Sequence, residues 1–290
     1  MRDFIIGLGL STTPGADVNP VAEAELAERL DFDFVSASDH LHGETPTFEP
    51  WTLLTWVAAA TSRIQVLTRV LAIPYRSPAV TAKMAETLDR LSNGRLILGL
   101  GAGYLDSEFK ALGLEVPSLR DKIDGMAEAI RMMRGLWSER PYSFEGRRYR
   151  LEEARLEPAP AHQIPIWLGT YGPRALRFTG QLADGWIPSY GFAPPDKVVD
   201  MMARVRDAAE KAGRDPDAVK AVYNVAVDLR EGTEVKGGFA GSPARVAERL
   251  HELASLGFDG LNLIPGDGDK PRQIEELGNE ILPALRHRLS

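Results

Sequence analysis

A carboxylate and an imidazole stand together where a short apolar run ends. Residues 32–37 read as a β-strand, and Asp39 and His40 follow after a single serine. A strand of this composition would ordinarily continue into a turn of Gly, Asn or Pro. Because an imidazole can exchange a proton near neutral pH, the pair is a candidate for general acid–base chemistry. The alternative interpretation is a surface histidine beside an aspartate that caps a helix.

The same loop carries a second imidazole, His42, two residues after His40. A His-x-His pair can bind a metal ion, but a catalytic metal site needs further ligands. No cluster of His, Asp or Glu farther along the chain supplies them, and His251 and His287 fall on predicted outer helices. The sequence therefore predicts no metal site.

A glycine-rich turn follows the fourth predicted strand. Gly99, Gly101 and Gly103 lack the G-x-G-x-x-G spacing of a dinucleotide fingerprint, which would in any case follow the first strand. Glycines at a strand end let a flat ligand or a phosphate approach the backbone closely. The alternative is tight turning alone. Glu108 and Phe109, a few residues farther on, are assigned structural roles.

A second glycine turn, residues 169–172, leads into a helix that starts with Pro173. The free N–H groups and the dipole at a helix N-terminus favour anions. The segment is therefore a predicted phosphate site, to which Arg174 and Arg177 could add charge unless both simply face solvent. Phe48, in an earlier loop, is the candidate wall of a substrate pocket.

The elements that must position these residues alternate regularly along the chain. Short β-rich runs and amphipathic helices recur eight times. The predicted strands cover residues 4–10, 32–37, 64–70, 95–101, 164–169, 185–188, 218–227 and 260–264. This pattern predicts an α/β fold of the (β/α)8 TIM-barrel type, with its chemistry at the C-terminal mouth of the strands; an open doubly wound sheet is the alternative. Residues 138–163 are interpreted as a loop or hairpin inserted before the fifth strand, and residues 230–241 as a glycine-rich loop.

Composition narrows the class of protein. The chain has 290 residues, 44% hydrophobic and 26% charged, which suits a single domain, 1–290, with its own core. A net charge of −7 argues against nucleic-acid binding, and no apolar run is long enough to span a membrane. The absence of cysteine excludes thiol nucleophiles, disulfides and thiolate-held clusters, and it suits a reducing, cytoplasmic location. The expected partner is a small molecule.

Several segments together resemble the bacterial luciferase-like superfamily, in its branch that uses the deazaflavin coenzyme F420. They are residues 34–40, 76–83, 88–109, 165–169 and 183–186. The longest and most specific contains the run LDRLSNGRLILGLGAGY at residues 88–104. The likeness covers nearly the entire chain.

The resemblance implies an F420-dependent oxidoreductase that transfers a hydride between the coenzyme and a small organic substrate. It implies Asp39 and His40 as catalytic residues, with His40 giving or taking the proton that accompanies hydride transfer. It also implies a homodimer. The implied cofactor-binding residues are Asp39, His40, Arg69, Val70, Gly101, Ala102, Gly103, Ser107, Gly169, Thr170, Tyr171 and Gly172.

The alternatives are an FMN-dependent monooxygenase of the same fold, which uses O2, and a non-catalytic ligand-binding barrel. Members of the superfamily often carry a non-proline cis peptide after the third strand, and alignment places it between Arg69 and Val70. The chain departs from the sugar-phosphate dehydrogenases of the family at Tyr104, where those carry an acidic residue. This departure argues against a glucose-6-phosphate-type reaction. Oxidation of an alcohol and reduction of an activated C=C bond both stay open.

Overall fold

The computed structural model describes residues 4–266 and 268–289. Within these ranges the strands are β1 (Ile5–Gly9), β2 (Phe34–Ala37), β3 (Gln65–Thr68), β4 (Leu71–Ala72), β5 (Leu96–Gly101), β6 (Tyr142–Glu145), β7 (Arg150–Ala154), β8 (Ile166–Leu168), β9 (Gly185–Trp186), β10 (Lys220–Asp228), β11 (Gly238–Ala240) and β12 (Gly260–Pro265). The α-helices are α1 (Pro20–Arg29), α2 (Pro50–Ala60), α3 (Pro78–Leu91), α4 (Asp106–Ala111), α5 (Leu119–Ser138), α6 (Pro173–Leu182), α7 (Pro195–Lys211), α8 (Pro243–Ala254), α9 (Lys270–Glu276) and α10 (Leu282–Leu289). Over the same residues, no helix has both the length and the apolar character that a membrane crossing requires.

Among the described residues, eight parallel strands close into a barrel. Their order is β1-β2-β3-β5-β8-β9-β10-β12, and β12 pairs with β1 to complete the circle. β4 pairs with the end of β5, and β11 adds to the end of β10. The predicted TIM barrel is confirmed, and the open sheet is wrong, because β10 pairs with both β9 and β12.

The interior of the barrel changes from apolar to polar towards the mouth. Side chains along a strand alternate in direction, so residues two apart face the same way. The inward-facing apolar cluster consists of Phe34, Leu67, Ile97, Trp167, Ile187 and Val222. Two residues farther along their strands lie Ser36 and Asn224, and Asn262 donates to both from Nδ2, at 3.0 and 2.8 Å. Polar groups are therefore available at the C-terminal end of the strands.

The segment inserted before the fifth barrel strand is a hairpin. β6 and β7 pair antiparallel within residues 138–163, the segment interpreted from the sequence as an inserted loop or hairpin. Side chains of α3 hold the chain that returns from it. Lys83 Nζ donates to Glu157 O at 2.8 Å, and His162 Nδ1 lies 3.0 Å from Asp89 Oδ2. The hairpin is thereby anchored near the N-terminal end of β5, away from the mouth.

Three elements differ from the sequence prediction. The third strand, predicted over residues 64–70, ends at Thr68 and resumes as β4 after residues 69–70. Helix α4 was not predicted, because six residues are too few to show a helical period. Strand β11 lies within the predicted loop 230–241, where pairing with β10 rather than composition makes it a strand.

Candidate functional site

A cavity of about 590 Å³ opens at the mouth of the barrel. Its wall is built by residues at or just after the ends of β2, β3, β5, β8 and β9, where parallel barrel strands present functional groups. The predicted site residues that lie on this wall are Asp39, His40, Arg69, Val70, Gly101, Ala102, Gly103, Gly169, Thr170, Tyr171 and Gly172. Residues far apart in sequence are thus brought to one place.

Two other predicted residues lie outside the cavity lining. Ser107 is exposed on α4, between two residues that do line the wall, so the cavity gives its predicted cofactor contact no support. Phe48 does not line the cavity either, so its predicted role as a pocket wall finds no support. Its backbone N–H donates to Thr12 O at 2.7 Å, which holds its loop against the loop after β1.

His40 is held by a buried carboxylate. Its Nδ1 lies 3.0 Å from Glu108 Oε1, and the Glu108 side chain is only 4% exposed, against 40% for His40. The Tyr75 hydroxyl donates to the other carboxylate oxygen, Oε2, at 2.5 Å. Burial, together with the hydrogen bond to Glu108, raises the pKa of the Tyr75 hydroxyl, so this group remains a donor at neutral pH.

The Glu108 carboxylate selects the tautomer of His40. An ionised carboxylate only accepts hydrogen bonds, so the imidazole hydrogen belongs on Nδ1. Nε2 is then the nitrogen left to exchange a proton in the cavity. The structural role assigned to Glu108 from the sequence was therefore incomplete. The sequence did contain a signal for this pairing. Glu108 is an acidic residue next to Phe109, which is fully buried, and a carboxylate is rarely buried without a partner.

Asp39 forms a bidentate ion pair with Arg76. Arg76 donates from Nη1 to Oδ2 at 2.8 Å and from Nη2 to Oδ1 at 3.0 Å, and the Ala72 N–H donates to Oδ2 at 2.9 Å. Arg76 also donates to Glu49 Oε1 at 2.6 Å. Burial alone would lower the pKa of Arg76, but the bonds to the two carboxylates outweigh it and raise that pKa. Asp39 thus ties the loop after β2 to β4, and its catalytic role stays a prediction.

The predicted cis peptide bond between Arg69 and Val70 is confirmed. The Val70 side chain fills the space that a Cβ would need at two glycines. A Cβ at Gly101 would lie 2.8 Å from Val70 Cγ2, and one at Gly169 would lie 3.1 Å from it. Gly103 has a φ of +75°, which favours glycine. Glycine is thus required here both by the tight turn at Gly103 and by the close packing of Val70. We call Val70, Gly101 and Gly169 the glycine cradle.

The second glycine turn leads into α6 as predicted. Gly172 is the N-cap residue with Pro173 at the first helical position, and a Cβ at Gly172 would meet no atom within 4 Å. Arg174 donates from Nε to Asp124 Oδ1 at 2.8 Å, and Arg177 is exposed. Neither arginine lines the cavity. An anion bound here would therefore depend on the free backbone N–H groups of the helix start.

Three aromatic rings border the cavity, and we call Tyr104, Tyr171 and Phe192 the aromatic rim. The Phe192 centroid lies 5.8 Å from that of Tyr104 and 5.4 Å from that of Tyr171. The Tyr104 and His40 rings are 6.1 Å apart. Tyr104 and Phe192 are 63% and 60% exposed, which is typical of surfaces that receive an apolar ligand. Sequence reasoning missed this grouping, because the rings come from separate loops.

Within the described part of the chain, no three His, Cys, Asp or Glu side chains are grouped as metal ligands would be. His42 is exposed and does not line the cavity. His251 lies on α8, one of the outer helices.

Comparison with known proteins gives consistent matches. The family model for luciferase-like monooxygenases matches residues 9–236. The chain is 34% identical to the F420-dependent glucose-6-phosphate dehydrogenase of Microbacterium testaceum (strain StLB037), over 91% of this chain and 92% of that enzyme. It is 35% identical to the protein of the same name from Nakamurella multipartita, over 71% of this chain but only 62% of the relative.

A solved structure of an F420-dependent secondary alcohol dehydrogenase, in complex with an F420-acetone adduct, is similar throughout. The TM-score is 0.88 over 98% of this chain and 99% of the other, at 20% sequence identity. At this identity the likeness establishes the shared barrel fold.

Proposed function

This chain belongs to the luciferase-like monooxygenase family, and we propose that within it the protein is an F420-dependent oxidoreductase. It transfers a hydride between the deazaflavin coenzyme and a small organic substrate. The two curated relatives described above, both F420-dependent dehydrogenases by name, support the choice of coenzyme. The structural observation that carries the proposal is His40, held by Glu108 at the barrel mouth beside the glycine cradle.

The residues of the cavity fit a flat, anionic coenzyme. In the glycine cradle the Val70 side chain packs closely over the backbone of Gly101 and Gly169, and the start of α6 is open at Gly172. The buried Nε of Arg69 has no hydrogen-bond partner within residues 4–266 and 268–289. When bound, F420 supplies a ring carbon that accepts or releases a hydride. We infer that Val70 and residues 101–103 contact the ring and that residues 169–172 hold the phosphate.

His40 manages the proton in this proposal. Its Nε2 takes the proton of a substrate hydroxyl, or returns one in the opposite direction. Glu108 accepts the hydrogen bond from Nδ1 and stabilises the imidazolium that forms, as the orienting carboxylate of a catalytic triad does. Tyr75 keeps that carboxylate in one orientation. Asp39 contributes through its ion pair, which fixes the loop that carries His40.

The aromatic rim supports a substrate with an apolar body. By the resemblance described from the sequence, Tyr104 replaces an acidic residue of the family's sugar-phosphate dehydrogenases, and its ring lies beside the exposed ring of Phe192. Lys122, a cation on the wall, is already paired with Asp106 at 2.5 Å. We therefore propose an apolar alcohol or an activated alkene, rather than the glucose 6-phosphate named for the relatives.

The purified apoprotein is expected to bind F420 with a dissociation constant in the micromolar range or lower. FMN should bind at least roughly tenfold more weakly, a difference of about 1.4 kcal/mol. Fluorescence titration with each coenzyme measures both constants. Tighter binding of FMN, with oxygen consumption, would identify an FMN-dependent monooxygenase and contradict the proposal. F420 binding without turnover of any alcohol or alkene would favour the non-catalytic barrel.

We further infer that the protein is a cytoplasmic homodimer. A chain without cysteine suits a reducing compartment. Helices α2 and α3 expose Trp56, Val80 and Leu91, which are 71%, 56% and 77% exposed. Val80 and Leu91 also line an apolar groove on the outside of the barrel. Exposed apolar surface of this kind is typical of an interface between subunits.

Val80→Glu is expected to convert the dimer into a monomer, because it places a charge in that groove. Sedimentation velocity at micromolar concentration should show the mass halved. Val199→Glu introduces the same charge on α7, where the side chain is 40% exposed, and should leave the dimer intact. A wild-type chain that sediments as a monomer would contradict the inference.

A further inference from the structure

Arg69 places a cation in the cavity, and no carboxylate of the described residues pairs with it. It follows Leu67 of the inward-facing cluster by two residues, and it lies half-buried on the cavity wall. Its Nε is buried and has no hydrogen-bond partner in the described part of the chain, and the charge interaction at its guanidinium is with the Tyr171 hydroxyl. The Tyr171 oxygen is already engaged, because it accepts from the Ser189 N–H at 3.1 Å.

The other charged groups on the cavity wall have ion-pair or hydrogen-bond partners. Among the described residues, the pairs are Asp39 with Arg76, Lys122 with Asp106, and Glu108 with His40 and Tyr75. Arg69 is therefore the charged side chain on the described cavity wall that has neither an ion pair nor a side-chain hydrogen bond. That charge is positive, although the chain as a whole carries −7.

A partly buried cation without a partner lowers the stability of the protein when no coenzyme is bound. Removing an ion from water is repaid only by a counterion or by strong hydrogen bonds. Burial lowers the pKa of the Arg69 guanidinium to about 10, and the neighbouring Tyr171 offsets only part of that effect. The guanidinium still carries its charge at neutral pH, so the cavity is prepared for an anion.

The position of Arg69 indicates which part of the coenzyme brings that anion. Arg69 immediately precedes Val70, the side chain at the centre of the glycine cradle. The phosphate has a different candidate site at Gly172, where the backbone is exposed. A planar guanidinium suits a delocalised negative charge on a planar ring. An 8-hydroxydeazaflavin ring carries such a charge when its hydroxyl group ionises.

We propose that the Arg69 side chain binds the deazaflavin ring in its ionised form and thereby sets the charge state of the bound coenzyme. This inference rests on the proposed function, because it requires F420 to occupy the cavity. The sequence comparison implied only that Arg69 lies near the coenzyme. The present inference gives its side chain a specific role, which is to bind the negative charge on the ring. It also explains why an arginine is tolerated inside a barrel next to an apolar cluster.

The test is a pH titration of the visible absorption of the bound ring. Two ligands separate the sources of negative charge: F420, and the 8-hydroxydeazaflavin riboside that lacks the phosphate tail. In the wild type, both ligands should ionise at lower pH than when free. Arg69→Met should raise the apparent pKa of both bound rings by about one unit, a tenfold change in proton affinity, and Arg69→Lys should fall between.

Two controls separate this effect from general changes. Lys110→Met removes a positive charge from α4 outside the cavity lining, and it should leave the titration unchanged. The Arg69→Met apoprotein should melt at the same temperature as the wild type or higher, because an uncompensated charge has been removed.

The possible failures are distinguishable. If wild-type protein binds no F420, the proposed function fails and this inference fails with it. If wild-type protein binds F420 but does not lower the pH at which the ring ionises, only the inference is overturned. The same holds if Arg69→Met and wild type titrate alike. A shift seen with F420 but not with the riboside would assign Arg69 to the phosphate and also overturn it.

Discussion

Replacing His40 with alanine is expected to lower kcat by about 10²–10⁴-fold while F420 binding is retained. In the proposed mechanism the free nitrogen of this imidazole exchanges a proton with the substrate, and Glu108 lies 3.0 Å from its other nitrogen. Removing it leaves the glycine cradle and the start of α6 intact, so the coenzyme keeps its proposed contacts. Steady-state kinetics and a fluorescence titration of F420 measure the two effects separately.

His42→Ala is the matched control for this experiment. His42 is exposed and lies outside the cavity lining, so the variant should keep wild-type kinetics. Glu108→Gln retains the shape of the side chain but loses its charge, and we expect a smaller loss of rate with an altered pH profile. A His40→Ala enzyme with an unchanged rate would remove His40 from the mechanism.

Asp39→Ala is expected to lower the free energy of unfolding by about 3 kcal/mol, at the lower end of the range for breaking a buried ion pair. The Asp39 side chain is fully buried and Arg76 is 16% exposed, so the substitution leaves a largely buried guanidinium with fewer partners. Glu49 remains bonded to Arg76 and limits the loss. Chemical denaturation followed by tryptophan fluorescence gives the free energy directly.

Asp207→Ala provides the comparison for a solvent-exposed pair. Asp207 and Lys211 are 56% and 73% exposed on α7, so breaking their ion pair should cost less than about 1 kcal/mol. Equal effects of the two substitutions would show that the Asp39 pair contributes no more than a surface pair. Wild-type stability of Asp39→Ala with a large loss of kcat would instead assign Asp39 a direct part in the chemistry.

Much of the fold could be predicted because alternation of strands and helices is a local property of the sequence. The fourth predicted strand, residues 95–101, differs from β5 (Leu96–Gly101) by one residue. Elements whose identity depends on distant pairing could not be predicted. β11 becomes a strand only through the end of β10, and α4 is shorter than two helical turns.

The candidate site was predictable where a residue interrupts an apolar pattern, as His40 and the glycine turns do. The residues that hold these side chains in place could not be predicted. Glu108 is 68 residues from His40, and Arg76 is 37 residues from Asp39, so only the closed barrel brings each pair into contact. The aromatic rim was missed for the same reason. A single sequence shows which residues could do chemistry more readily than which residues hold them in place.

The aromatic rim has a consequence for how such a protein diverges. Tyr104 and Phe192 stand on loops and are more than half exposed, whereas Glu108 is buried and Val70 packs between two strand-end glycines. Exchanging a rim residue therefore changes what the mouth admits without disturbing the groups beneath it. Descendants of one ancestral barrel can acquire new substrates by altering the loops while inheriting the buried residues beneath them unchanged.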